Sequence, residues 1–255
     1  TDPTWSPSGD ELAVMIYETD QSTAGQGESL QLAIFSKDDR SWRLIPCGSC
    51  GYPNWLNDGK ILVSVNLGLG SDGQVQYGKA KVDPVSGEVS EERPYSGINS
   101  QLRAISPAGE LVLMGGPYAV YPDGDVLLMR AHTDDCSGIW SYGLESAGPV
   151  PLVDSLDLYE CDPALSKGGT KLAYTVKGSS EFDPTTLMIA NFDGSSAIPF
   201  LAPGGYIYQI RFPAWSPDGR QMAFVYGKFD LTSPSFSTLY IVDVPLHLQP
   251  PSATD

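Results

Sequence analysis

The chain has 255 residues and a formal net charge of −16. Such an acidic surface repels phosphates, so the charge argues against a nucleic-acid partner and favours either solubility or a basic partner. The sequence contains no apolar run of about 18 or more residues, and we therefore expect no membrane span. The 27 glycines and 21 prolines, without strongly helix-favouring segments, are typical of short strands joined by turns.

One turn motif recurs along the chain. Its fullest form is Trp215-Ser216-Pro217-Asp218-Gly219, between predicted strands at 207–215 and 221–226. Proline presets φ for the first corner, aspartate bonds its own backbone, and glycine takes the positive φ. The copies begin 50 residues apart, with one gap of 60, which is typical of a repeat architecture. Degraded copies, each followed by an apolar strand, lie at 5–9, 55–59, 105–109 and 165–169.

The segment 213–224, Pro-x-Trp-Ser-Pro-Asp-Gly-x-x-x-Ala-Phe, resembles the repeat of TolB-like, or WD-repeat-like, β-propellers. The resemblance covers nearly the whole chain. It implies an all-β fold, a ring of four-stranded antiparallel blades, and a docking platform or gating domain that is usually extracytoplasmic. It implies no shared catalytic residue. We expect five blades, with six as the alternative.

The predicted organisation is a single propeller domain over 1–245, followed by a Pro-rich tail or linker at 246–255. Because the chain begins with Thr1, almost directly on a repeat strand, we expect a processed or excised piece. The segment 245–251 is the candidate for a last outer strand. The predicted units are 1–50, 51–100, 101–160, 161–210 and 211–245.

The third unit contains two competing turns. Ser106-Pro107-Ala108-Gly109 keeps the period, whereas Tyr121-Pro122-Asp123-Gly124 has the fuller motif. If the second turn is the true copy, residues 101–116 become an extra hairpin or a degenerate blade.

Four cysteines indicate an oxidising compartment. In a propeller blade with strands a to d, the b–c and d–a connections share one face, and Cys47, Cys50, Cys136 and Cys161 all fall in such connections. We predict the disulfides Cys47–Cys50 and Cys136–Cys161. A redox motif would need a helix N-terminus, and a zinc site would have to bridge separate blades. Reduced, inert thiols remain the alternative.

Candidate chemistry is sparse. The segment 68–73 matches the Gly-x-Gly-x-x-Gly dinucleotide pattern, but no helix follows it, so we interpret it as a turn. His132 is followed by Asp134, Asp135 and Cys136, which suits a metal cluster or part of a triad, but a solvated b–c loop is the preferred interpretation. No hydrolase elbow occurs. We therefore expect a non-catalytic chain with no metal or cofactor.

Acidic residues recur in the predicted b–c loops. A ring would gather them on the cysteine-bearing face, with Asp157, Glu160 and Asp162 from one d–a connection. We interpret this as an acidic docking face for a basic protein or peptide; the alternative is that the loops are merely solvated. The predicted binding residues are Glu18, Asp20, Asp72, Asp134, Asp135, Glu181, Asp183 and Asp230.

Three tryptophans, Trp5, Trp55 and Trp215, occupy equivalent places and are interpreted as packing between blades.

Two other functions stay open: the substrate gate of a prolyl-oligopeptidase-like hydrolase whose catalytic domain is absent here, and a carbohydrate-binding propeller.

Overall fold

The all-β prediction is confirmed by the computed structural model, whose strands form antiparallel sheets. The chain forms two compact units, Thr1–Gln101 and Leu102–Asp255. The single domain predicted over 1–245 stays a prediction. The structure describes residues 3–18, 29–47, 50–69, 75–94, 117–120, 126–130, 139–143, 150–153, 159–177, 183–202, 204, 208–228 and 236–251.

The first unit contains two four-stranded sheets, in each of which consecutive strands are neighbours. Sheet 1 is formed by β1 (Thr4–Trp5), β2 (Glu11–Glu18), β3 (Ser29–Ser36) and β4 (Trp42–Ile45). Sheet 2 is formed by β5 (Cys50–Trp55), β6 (Ile61–Leu69), β7 (Val75–Val82) and β8 (Val89–Pro94).

The described residues of the second unit form three sheets with the same meander order. Sheet 3 is formed by β9 (Pro117–Val120), β10 (Val126–Arg130), β11 (Ile139–Gly143) and β12 (Val150–Val153). Sheet 4 is formed by β13 (Tyr159–Leu165), β14 (Lys171–Lys177), β15 (Thr186–Asn191) and β16 (Ile198–Leu201). Sheet 5 has three described strands, β17 (Tyr208–Trp215), β18 (Gln221–Lys228) and β19 (Phe236–Asp243).

The repeated motif forms the turn between the first two strands of a sheet. In sheet 5 the Ser216 hydroxyl accepts the Gln221 N–H at 2.9 Å, and the Gly219 N–H donates to the Ser216 carbonyl at 2.9 Å. Ser6 and Ser166 accept the N–H of Glu11 and Lys171 in the same way. Local polar bonds therefore close these turns, as the motif predicts.

Two paired strands of the third sheet lie on either side of the second candidate turn. β9 pairs with β10, so the connection at 121–125 is the equivalent of the other first turns. The turn predicted at 106–109 and the segment 101–116 lie outside the described residues.

A β-bulge interrupts the first strand of three sheets. The register shifts around the buried residues Pro53, Pro163 and Pro213. Proline has no N–H to give to a ladder, and a bulge accommodates it because the extra residue is left unpaired. In two bulges the residue before proline adopts a positive φ, 49° at Asp162 and 54° at Phe212.

Each unit has its own apolar core. In the first unit, side chains of sheets 1 and 2 form one cluster that includes Met15, Leu32, Ile34 and Val63. In the second unit, Leu187 and Ile189 of sheet 4 pack with Trp215, Met222 and Phe224 of sheet 5. Four consecutive residues are buried in each of β2, β14 and β18. Because successive side chains of a strand point to opposite faces, both faces of these strands are covered.

The chain does not form the last outer strand expected at 245–251. After β19, Pro245 leads into a 3-10 helix, Leu246–Leu248. Leu248 is buried, and the Gln249 side-chain amide donates to the Val244 carbonyl at 2.7 Å. A Cβ on Gly219 would overlap the ring of Pro250, so the segment packs tightly on the first turn of sheet 5. Proline at 245 and this packing turn the chain away from β19.

The part of the chain that the structure describes contains no helix with the length and apolar character needed to cross a membrane.

Candidate functional site

Most of the predicted acidic docking face lies outside the described residues. Glu18 ends β2, but its side chain is not described, and Asp183, just before β15, is half-buried. The acidic face therefore stays a prediction. The predicted binding residues outside the described ranges are Asp20, Asp72, Asp134, Asp135, Glu181 and Asp230.

The sheet topology nevertheless fixes where the b–c connections leave each sheet. Because β2 and β3 are antiparallel neighbours, the connection from Glu18 to Ser29 leaves sheet 1 at the end opposite the turn at 6–9. The same order holds for each of the other sheets. Within every sheet, the acidic b–c segments and the short a–b turns therefore belong to opposite ends, as predicted.

Asp162 is not part of an acidic surface, which corrects the expectation for this residue. Its side chain is only 3% exposed, because the bulge of β13 directs it into the interface between sheets 4 and 5. The Arg211 Nε donates to Asp162 Oδ2 at 2.7 Å, and the Phe212 N–H and the Thr175 hydroxyl donate to the same oxygen at 3.4 Å. A buried carboxylate with three donors holds two sheets together.

A second polar contact crosses the same interface. The Thr185 hydroxyl, which is buried, donates to the Ile210 carbonyl at 2.7 Å and accepts the Ile210 N–H at 2.5 Å. The Trp215 Nε1 donates to the Ala164 carbonyl at 3.2 Å. In the first unit the backbone N–H of Trp55 donates to the Thr4 hydroxyl at 3.2 Å, and the Trp55 side chain packs against the core cluster formed by sheets 1 and 2. The side chains of Trp55 and Trp215 therefore lie between neighbouring sheets, as predicted.

Sequence reasoning missed the bulges and the buried ion pair. The signal was present as a second repeat, a proline two residues before the Trp or Leu of the turn motif, at Pro3, Pro53, Pro163 and Pro213. A proline inside a predicted inner strand indicates a bulge, and an acidic residue before it indicates a side chain redirected by that bulge.

A disulfide joins Cys47 to Cys50 across the connection from β4 to β5, with Cα atoms 5.8 Å apart. This is one of the two predicted pairs. Cys50 is buried in the core shared by sheets 1 and 2, and Cys47 packs against it. Cys136 lies outside the described residues, and the side chain of Cys161 is not described, so the second pair stays a prediction.

The described residues do not assemble a metal site. They contain no group of three His, Cys, Asp or Glu side chains that could hold a metal ion. The segment His132 to Cys136 lies outside the described ranges. Gly68 and Leu69 belong to β6, which pairs with β7, so the glycine-rich segment connects two strands and no helix follows it.

The described turn carboxylates are engaged in local hydrogen bonds. Donation from the side chains of Ser41 and Ser195 lowers the pKa of Asp39 and Asp193, and backbone donation from Ser86 and Val85 lowers the pKa of Asp83. Donation from Lys81 lowers the pKa of Asp58, against a smaller opposing effect of burial. Hydrogen bonds to these charged carboxylates favour the ionised form, so the acids stabilise turns.

No protein-family model matches the chain. The β-propeller domain of Cps50 (Swd1) from Myceliophteria thermophila aligns over 96% of this chain and 97% of its own, with 13% identity and a TM-score of 0.55. The β-propeller domain of the trilobed protease from Pyrococcus furiosus aligns over 98% of this chain and 85% of its own, with 18% identity and a TM-score of 0.51.

TolB from Acinetobacter baumannii aligns over 95% of this chain with 16% identity and a TM-score of 0.47, and this chain spans 51% of its length. The first two likenesses define the class of protein: the chain has the β-propeller fold that its TolB-like, WD-repeat-like turns predicted. At these identities the likeness concerns the fold and assigns no activity or partner.

Proposed function

We propose that this chain is a non-catalytic β-propeller that acts outside the cytoplasm as a protein- or peptide-binding scaffold, through the acidic b–c loops. The observation that carries the proposal is the meander topology, which sends the b–c segments out of the opposite end of each sheet from the short turns. Those segments contain Asp20, Asp72, Asp134, Asp135 and Asp230.

Charge supports a basic partner. With 31 acidic and 15 basic residues, the protein attracts cations at a distance, and long loops of one sign focus that field. The turn carboxylates Asp39, Asp83 and Asp193 already serve local hydrogen bonds. The b–c carboxylates are therefore the better candidates for contact with a partner. The Cys47–Cys50 disulfide supports an oxidising location, where such bonds persist.

The experiment neutralises four loop carboxylates together: Asp134→Asn, Asp135→Asn, Glu181→Gln and Asp183→Asn. The probe is a short labelled peptide of alternating Lys and Ser residues, titrated by fluorescence anisotropy. We expect affinity to fall on the order of tenfold at low salt, and the slope of affinity against salt to flatten.

A matched variant at exposed positions of the turn end raises the net charge by the same four units: Asp10→Asn, Asp38→Asn, Asp39→Asn and Glu88→Gln. It should lose much less affinity than the loop variant. Equal losses would show that only net charge matters, and unchanged affinity in the loop variant would contradict the acidic face itself.

A second candidate is the substrate gate of a hydrolase. The matched propeller domain of the P. furiosus trilobed protease, at a TM-score above 0.5, favours it. This candidate predicts a hydrolase domain in the same polypeptide, which sequencing of the full transcript would reveal, and affinity for peptides that does not depend on their charge.

A further inference from the structure

The outer edge of β19 differs from the corresponding edges in the other sheets. In sheets 1, 2 and 4 the third strand is covered by a fourth, since β4 pairs with β3, β8 with β7 and β16 with β15. Among the described residues, β19 pairs with β18 alone. The described residues after β19, 244–251, do not fold back along it, because they pack on the turn at Gly219 instead.

The backbone of β19 is positioned to accept another strand. The Val244 N–H donates to the Arg220 carbonyl at 2.7 Å, which fixes the alternation of the ladder. Ser237, Leu239, Ile241 and Asp243 consequently direct their N–H and carbonyl groups away from β18. The equivalents of Asp243 in sheets 1 and 4, Ser36 and Asn191, donate to the return segment, at Ser41 and Ser195.

The side chains at this edge are less covered than their equivalents. Leu32 and Ile34 in β3 are 0% exposed, and Leu187 and Ile189 in β15 are 0% and 1% exposed. Leu239 and Ile241 occupy the same places in β19 and are only partly buried. A row of outward backbone groups beside partly covered apolar side chains is a template for strand addition.

We propose that the edge of β19 binds an extended basic peptide with alternating apolar residues, which adds to sheet 5 as an antiparallel fourth strand. We infer the sequence character of this peptide from β4, the fourth strand of sheet 1, and the residues that flank it. Residues 40–46, Arg-Ser-Trp-Arg-Leu-Ile-Pro, carry two arginines, and Ile45 is 5% exposed in the core. A basic strand also complements the net charge of −16. The site is separate from the proposed acidic loops and does not depend on them.

The probe is a labelled synthetic peptide with the sequence of residues 40–46, and the test variant is Ile241→Pro. Proline at 241 removes an N–H that faces the open edge but none that bonds β18, so the sheet should tolerate it. The matched control, Ile241→Ala, loses the same side chain but keeps the N–H. We expect the loss of peptide affinity to be about tenfold larger for Ile241→Pro than for Ile241→Ala. The loop variant of the preceding section should lose only the salt-dependent part of its affinity for this peptide.

Equal affinities of the two variants would overturn the proposal. A second comparison does not depend on the folding of a proline variant: it uses wild-type protein and two peptides, N-methylated at alternate sets of residues. Only the set that faces β19 should abolish binding, and equal effects of the two sets would contradict strand addition.

Hydrogen exchange separates the other occupants. The amides of Leu239 and Ile241 should exchange fast in the free protein and slowly with the peptide. Slow exchange in the free monomer would mean that this chain itself fills the edge. Protection that grows with protein concentration, together with a dimer in sedimentation, would mean that a second copy fills it. Either result would overturn the peptide proposal.

Discussion

The two units join neighbouring sheets by different chemistry on the same backbone plan. Between sheets 1 and 2, Met15 belongs to an apolar cluster, and the disulfide Cys47–Cys50 links the strands that meet there. Between sheets 4 and 5, Thr175 occupies the position equivalent to Met15 and donates to the buried carboxylate of Asp162. Arg211 occupies the position equivalent to Gly51 of sheet 2.

The difference shows that the repeat specifies strand positions rather than the contents of an interface. The first interface depends on apolar burial, which tolerates small changes of shape. The second depends on an ion pair whose removal from water is costly unless every partner is present. One altered charge should therefore affect the second interface more than the first.

The largest expected effect follows removal of the cation at the second interface. Arg211→Met leaves Asp162 buried without its charged partner, and we expect a loss of about 3 kcal/mol in the free energy of unfolding. Urea denaturation monitored by tryptophan fluorescence gives the value. The double variant Asp162→Asn with Arg211→Met should recover most of the loss, since asparagine keeps a polar side chain and tolerates positive φ.

The control lies in the first unit, where Arg43 pairs with Glu11 and both side chains are about a third exposed. Arg43→Met should cost about 1 kcal/mol or less. A loss at Arg43 as large as that at Arg211 would mean that the two interfaces do not differ in the way described.

A smaller effect follows removal of the disulfide from the first interface. The bond closes a very short loop, so the chain-entropy estimate for Cys47→Ala with Cys50→Ala is a loss of about 2 kcal/mol. Thermal unfolding with and without reductant measures it. Reductant should destabilise the wild type by a similar amount. If reductant also destabilises the double variant, the remaining cysteines, Cys136 and Cys161, form a disulfide. No change on removing both cysteines would contradict a stabilising role.

The smallest effects concern the turn carboxylates and their pH dependence. The pKa of Asp58 is lowered by donation from Lys81, and that of Asp193 by donation from Ser195. A lowered pKa contributes stability that is present above the unfolded value of about 3.9 and is lost as the pH falls through the folded value. Lys81→Met and Ser195→Ala should each reduce the loss of stability in acid.

Salt distinguishes these two turns. The contribution of Lys81 should disappear in about 1 M NaCl, whereas that of Ser195 should persist, because a neutral donor is not screened. Urea midpoints between about pH 5 and about pH 2.5 provide the measurement. The same salt response at both turns would show that long-range charge, rather than local bonding, lowers these pKa values.

The sequence predicted the parts of the fold that local chemistry determines. The Ser-Pro-Asp-Gly turns, the strands around them and the meander follow from residues that bond within the turn itself, as Ser216 and Asp218 do. The third sheet was ambiguous because its two turn copies have similar local chemistry. The choice of Tyr121 to Gly124 depends on pairing between β9 and β10, which a single sequence does not reveal.

The candidate site was less predictable because side-chain direction depends on register. The sequence places Asp162 in an exposed loop, but a bulge turns its side chain inward toward Arg211, a residue 49 positions away. The segment 245–251 was the candidate for a last outer strand, but Pro245 and the packing of Pro250 on Gly219 direct it away from β19. Long-range contacts of this kind leave only weak local signals.

The self-contained turns also bear on the order of folding. A hairpin whose closing bonds lie within six residues, such as Ser216 to Gln221, can form before any distant contact, on the microsecond scale typical of hairpins. The sheets whose first turn is described then offer a preformed nucleus, and slower steps follow as neighbouring faces meet. In sheet 5, Pro250 must still pack over Gly219, so a chain emerging from the ribosome completes this contact only after residue 250 has been synthesised.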